Sequence, residues 1–130
     1  MNKEDKDDIE VYVVSSFVKV AAKEGVDDAA LKKAAVEIFA GLIDADLKGS
    51  LFKKRIASAN RNTGKSDGNR AIVSMKRGKK LFYIYLFSKK EKDNISAKEL
   101  KALKAYGELM FTYDDEYLEA MIAKGLLRKL

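Results

Sequence analysis

Seven successive apolar or aromatic residues, Leu81-Phe82-Tyr83-Ile84-Tyr85-Leu86-Phe87, constrain this chain more than any other feature. A strand without polar alternation buries both of its faces, so Lys80–Ser88 belongs at the centre of a sheet. Arg70–Arg77 reads as the strand before it, and Gly78 among charged residues makes the hairpin turn between them. Phe52–Ala57 alternates, with Phe52 and Ile56 facing one way and Lys53, Arg55 and Ala57 the other. Lys54 falls on the inner side by parity, so it is expected near an edge, snorkelling outward. The turn formers of Asn60–Asn69 make a loop between the first two of these strands.

The flanking thirds read as helices. Val11–Val14 is a short strand that follows an acidic tail, Met1–Glu10, expected to be disordered. Ser15 or Ser16 can cap a helix that stops at Gly25, and Asp27 caps a second, with Leu31, Ala34 or Ala35, Ile38 and Leu42 on its apolar stripe. Leu42–Ser50 reads as a turn-rich connection. Ser96 and Glu99 form a capping box for a helix through Leu100, Leu103, Tyr106, Gly107 and Met110. Thr112 is the expected cap of a last helix, whose buried stripe is Tyr117, Leu118, Met121 and Ile122 and which ends at Gly125. Leu126–Leu130 is left to add a short strand. The order βαα-βββ-αα predicts one α+β domain over residues 11–130, its small, mostly antiparallel sheet packed on helices on one face.

Composition removes whole classes of function. The chain has no cysteine, so neither a disulfide framework nor a thiolate site is expected. It has no histidine, which removes the commonest general base, the commonest zinc ligand and every imidazole-dependent triad. Carboxylates show no metal spacing, so neither metal nor cofactor is expected. No apolar run approaches the roughly 20 residues that span a bilayer, and the acidic start lacks a signal-peptide core. A cytoplasmic protein with no membrane partner is the default expectation.

The net charge of +6 is unevenly placed. Residues 51–92 hold 13 basic side chains against only Asp67 and Glu91, whereas acidic residues outnumber basic ones in each flanking segment. A surface of one sign attracts a phosphate backbone, while a merely solvated face mixes both signs. Lys53 and Arg55 share a strand face, Arg70 opens the next strand, and Lys89 and Lys90 close the third. Cations from three strands can thus converge at one end of the sheet. Lys54, Arg61, Lys65, Lys76, Arg77 and Lys92 are further candidates for RNA contact. Parity also puts Tyr83, Tyr85 and Phe87 on one face, as core or, for Tyr83 or Tyr85, as a stacking or phosphate contact. Thr63-Gly64-Lys65-Ser66 is not a Walker A loop: Ala59 stands where that motif needs glycine, and a turn follows where it needs a helix.

The ordered pieces Gly41-Leu42-Ile43-Asp44-Ala45-Asp46-Leu47, Lys53-Lys54-Arg55-Ile56-Ala57, Gly64-Lys65-Ser66 with Gly68 and Arg70, Phe87 through Ile95, and Glu99 through Lys104 resemble the RelE/ParE superfamily, specifically the HigB-like toxins of type II toxin–antitoxin pairs. Together they cover about half of the chain. The resemblance implies a ribosome-dependent mRNA endonuclease neutralised by a cognate antitoxin, often one with a helix-turn-helix domain. It carries catalytic roles to Lys53, Arg55 and Arg70 and to Lys89 or Lys90, and a basic-loop role to Lys65. The chain departs from the family's usual Ala-Arg-Pro-Gly at Ala57-Ser58-Ala59-Asn60, leaving Arg61 as the candidate replacement for one arginine. Asp67 and Asn69 also replace what is commonly glycine and an aromatic.

Such an enzyme needs a base for the ribose 2′-hydroxyl, cations for the phosphorane and an acid for the leaving oxygen. Arg55 and Arg70, permanently charged, suit the middle role. Lys53 or Lys89 are candidates for base or acid, and Glu91 and Tyr85 are weaker candidates for base. A non-catalytic RNA-binding module and a ParE-like gyrase inhibitor are the competing readings, since one fold hosts several functions.

Overall fold

The computed structural model describes residues 9–57, 68–76 and 80–130. The tail before Ile9, the loop carrying Arg61, Lys65 and Asp67, and the turn carrying Arg77 and Gly78 lie outside the described residues. Among the described residues ten elements succeed one another: β1 (Glu10–Val14), α1 (Ser15–Glu24), α2 (Asp28–Phe39), β2 (Ala45–Lys48), β3 (Leu51–Ile56), β4 (Asn69–Met75), β5 (Lys80–Ser88), α3 (Ala97–Met110), α4 (Asp115–Ala123) and β6 (Leu127–Lys129). The fold is α+β, as its sequence pattern predicts.

Their ends have local causes. Val14 precedes α1 without a side-chain cap, so neither serine acts as its N-cap. Gly25 ends α1 in the left-handed conformation at φ 73°, which a residue without Cβ adopts at no steric cost. Asp27 accepts from the Ala30 N–H at the start of α2, as expected. That helix stops at Phe39, so Leu42 is no part of its stripe and lies exposed. Asp114, not Thr112, caps α4 through the Tyr117 N–H. Tyr117 turns outward from α4, and Leu118 takes the buried position. The expected connection before Ser50 contains the edge strand β2.

The sheet runs β2-β3-β4-β5-β1-β6, with β5 in the interior as its apolar run requires. Among the described residues, only β1 and β5 pair in parallel. Helices lie on both faces rather than on one. Phe17 of α1 packs on Tyr83, and the Tyr83 hydroxyl donates to the Leu31 carbonyl of α2 at 2.7 Å. Phe82, the adjacent residue in β5, points the other way and packs on Phe111 at the end of α3. A strand apolar on both sides needs a cover on each, and the two helix pairs supply it.

One irregularity in β5 sets the facing of the aromatic residues beyond it. Val73 of β4 pairs with Tyr83, but the next β4 residue, Ile72, pairs with Tyr85. Ile84 is therefore an extra residue, a β-bulge, and it inverts the pleat past that point. Tyr83 and Tyr85, expected on one face, lie on opposite faces. Tyr83 belongs to the α1–α2 side, and burial pushes its hydroxyl pKa up. Tyr85 and Phe87 turn to the α3 side.

Candidate functional site

On the α3 side of the sheet, register places two rows of three residues side by side. Lys53, Ile72 and Tyr85 form one, and Arg55, Arg70 and Phe87 form the next. Strands stand about 4.8 Å apart and same-face residues about 7 Å apart along each. Ile72 and Phe87 are buried, so Lys53, Arg55 and part of Tyr85 form the solvent-facing part of the two rows. Farther along this face α3 covers the sheet. A Cβ built on Gly107 would stand 2.8 Å from the Ser74 Oγ, so helix and strand are in direct contact there. Lys53 and Arg55 retain exposure beyond that cover.

The cations differ in setting. Arg55 is exposed, and its backbone N–H donates to an Asp44 carboxylate oxygen at 2.6 Å. Arg70 is buried, 7% exposed, and its guanidinium donates to the Gly68 carbonyl at 3.0 Å. Burial and then the neighbouring Arg55 push the Arg70 pKa down, while Asp44 opposes them. A guanidinium stays charged through such a shift. Among the described residues, Lys53, Arg55 and Arg70 make no ion pair at contact distance. Three cations against the single neighbouring carboxylate of Asp44, among the described residues, leave a net positive face that suits a polyanion.

The end of β5 joins this face through backbone. The Gly68 carbonyl that holds Arg70 also accepts from the Lys89 N–H at 3.4 Å, and the Lys90 N–H donates to the Ser88 hydroxyl. Both lysines are exposed and leave the sheet at the Arg70 end. Of the expected cations, Lys53, Arg55, Arg70, Lys89 and Lys90 thus gather at one end of three neighbouring strands.

Two others are elsewhere. Lys54 does not snorkel outward: its ammonium donates to the Leu42 carbonyl and pairs with Glu37 of α2, both at 2.9 Å, on the opposite face. The bond from Lys54 lowers the Glu37 pKa. Lys54 can be buried there because α2 brings it a carboxylate and a free carbonyl. Lys76 lies past the far end of β4, roughly 20 Å along the strand from Arg70 at about 3.3 Å per residue, with its ammonium over the Phe111 ring.

Lys92 adjoins the site but its charge is engaged. Its ammonium pairs with Glu99 in the first turn of α3, donates to the Tyr85 hydroxyl at 3.0 Å, and lies over the Tyr85 and Phe87 rings. The Tyr85 hydroxyl in turn donates to the same Glu99 oxygen at 3.2 Å. These bonds raise the Lys92 pKa and hold the Glu99 carboxyl at about 2. Glu99 is the site residue that sequence reasoning missed. Its capping role was legible, but the cap uses one carboxylate oxygen and leaves the other for Tyr85 and Lys92. Asp44 was legible only as part of a motif.

Among the described residues, no helix is long and apolar enough to cross a membrane. No curated protein matches the chain. A family model described as the RelE toxin of the RelE/RelB toxin–antitoxin system matches residues 9–130. The match spans all ten elements and both rows of the cationic face, and the chain belongs to the RelE family of toxin–antitoxin toxins.

Proposed function

We propose that this toxin is a HigB-like, ribosome-dependent mRNA endonuclease that works in the cytoplasm without a metal and is neutralised by a cognate antitoxin with a helix-turn-helix domain. The observation that carries this reading is the pair of rows: Lys53, Arg55 and Arg70, free of ion pairs among the described residues, beside the rings of Tyr85 and Phe87. Cations beside the part-exposed ring of Tyr85, which Phe87 backs from the buried side, suit a nucleotide whose phosphate is gripped and whose base is splayed and stacked.

Cleavage then needs one proton removed and one supplied. The 2′-hydroxyl oxygen attacks the adjacent phosphorus as its proton passes to a base. The bond to the 5′-oxygen breaks as that oxygen takes a proton from an acid, leaving a 2′,3′-cyclic phosphate and a 5′-hydroxyl. Arg70 and Arg55 stabilise the extra negative charge on the phosphorane oxygens. Arg70 is the stronger contributor, because burial reduces the screening of its charge. Lys53, one row away, takes the base role, and Lys89 at the end of β5 takes the acid role. Lys90, Arg61 and Lys65 contact flanking phosphates. Lysine is a weak base at neutral pH, so alignment of message by the ribosome supplies much of the rate.

The test is induction of wild type and Arg70→Ala in bacteria, with message ends mapped at single-nucleotide resolution. Wild type should cut translated messages and stop growth. Arg70→Ala should lose about 10²–10³-fold in rate, as expected for one charge-stabilising donor. Growth arrest with intact message and gyrase-linked DNA breaks would instead identify a gyrase inhibitor. Tight RNA binding without cut ends would identify a non-catalytic module.

A further inference from the structure

The Tyr85 hydroxyl sits between two groups whose ionisation fixes its polarity. An ammonium can only donate, so Lys92 occupies one lone pair of the phenol oxygen. A carboxylate can only accept, so the phenol proton is committed to Glu99. What the oxygen has left is its second lone pair. We propose that Glu99 is a positioning residue for the RNA-cleaving site: with Lys92 it locks the Tyr85 phenol so that it presents an acceptor, and not a proton, to a hydrogen-bond donor of the nucleotide held beside Arg55 and Arg70.

The inference rests on the nuclease reading above and assigns a task to a residue from outside the sheet. Glu99 reaches Tyr85 because the capping box anchors its other oxygen on the Ser96 N–H at 2.8 Å. The cap is thus a rigid mount for the second oxygen. Glu99 is itself no proton acceptor, since a carboxyl held at about 2 is far too weak a base for a phenol or a ribose hydroxyl. Its contribution is orientation. Lys92 adds to it by lying 5.4 Å from the Tyr85 centroid and 5.9 Å from that of Phe87, which fixes the ring pair from one side.

Three substitutions separate the roles. Tyr85→Phe removes the hydroxyl and keeps the ring. Glu99→Gln keeps an oxygen for the cap but turns an amide N–H₂ toward the phenol and Lys92, which releases the lock. Ser96→Ala removes the hydroxyl that accepts from the Glu99 N–H and keeps the residue-96 backbone N–H that mounts the carboxylate. Single-turnover cleavage of message on stalled ribosomes, at saturating toxin, should fall about tenfold in Tyr85→Phe and in Glu99→Gln, with the half-saturating concentration unmoved. The double variant should be no slower than the worse single one, because both act through one oxygen. Ser96→Ala should lower the melting temperature by a few degrees and leave the rate alone. Wild-type rate in Glu99→Gln, losses that multiply in the double variant, or an equal rate loss in Ser96→Ala would each overturn the proposal while the nuclease reading stands. An inert wild type would overturn both.

Discussion

Lys53 and Lys54 are adjacent and chemically identical, yet they should give opposite phenotypes when each is changed to alanine. Lys54 donates to the Leu42 carbonyl and to Glu37, with its side chain 11% exposed. A hydrogen bond from a charged donor contributes about 1.5–3 kcal/mol. The ion pair adds under about 1 kcal/mol, because the Glu37 carboxylate is 35% exposed and solvent screens it. Leu42 is exposed, so water can replace the ammonium at its carbonyl and the loss falls near the low end. Lys54→Ala should therefore cost about 2 kcal/mol, roughly a 1 M drop in urea midpoint at an ordinary m-value, and leave cleavage per folded molecule unchanged. Lys53 has no ion pair among the described residues and keeps part of its surface in water. Its removal should move stability by less than about 0.5 kcal/mol and reduce cleavage by about 10²-fold or more. Urea unfolding followed by circular dichroism, paired with message cleavage by the same preparations, measures both quantities. A Lys54→Ala protein of unchanged midpoint, or one that is stable and yet fails to cleave, would refute the assignment of the two faces.

Gly107→Ala should destabilise by about 1 kcal/mol, the crowding of about 1–3 kcal/mol outweighing a helix-propensity gain of about 1. The new Cβ would meet the Ser74 Oγ at 2.8 Å and the Ser74 Cβ at 3.2 Å, and Ser74 is fully buried. Among the described residues Ser74 Oγ has no hydrogen-bond partner, so Ser74→Ala should stabilise by about 1 kcal/mol and soften the Gly107→Ala penalty in the double variant, as measured by denaturant midpoints. Tyr83→Phe should cost about 1 kcal/mol through the lost bond to Leu31 and leave cleavage intact, in contrast to Tyr85→Phe. The Glu99 carboxyl is lowered in the folded chain, so its contribution to stability is complete above its ordinary value of 4.5 and is lost as pH falls through about 2. Glu37, bonded to Lys54, and Asp28, bonded to Arg128, are lowered too and act in the same direction. Melting temperatures should thus hold above pH 4.5 and decline below it, and Glu99→Gln should flatten part of the decline.

Much of this protein was legible in its residues. Asp27 and the Ser96–Glu99 box mark helix starts, because a side-chain oxygen placed just before a helix satisfies an N–H that nothing else can. The run Leu81–Phe87 announces an interior strand, and the cation excess of residues 51–92 announces a polyanion surface. The order of the strands made convergence of Lys53, Arg55 and Arg70 readable, since each falls on a strand by its own local pattern. Less was legible where a residue's partner comes from far along the chain. Lys54 looks like a surface lysine until Glu37 of α2 reaches it, and Glu99 looks like a cap until its second oxygen meets Tyr85.

Local chemistry by itself determined most of the elements, the caps at Asp27 and Ser96, and the sign of the charge. Tertiary structure alone decided which side of the sheet each aromatic serves. Alternation along a strand is a property of that strand, but a bulge exists only relative to a neighbour with one residue fewer. Pairing β5 against β4 leaves Ile84 over, and that one residue sends Tyr83 into the core and Tyr85 to the cationic face.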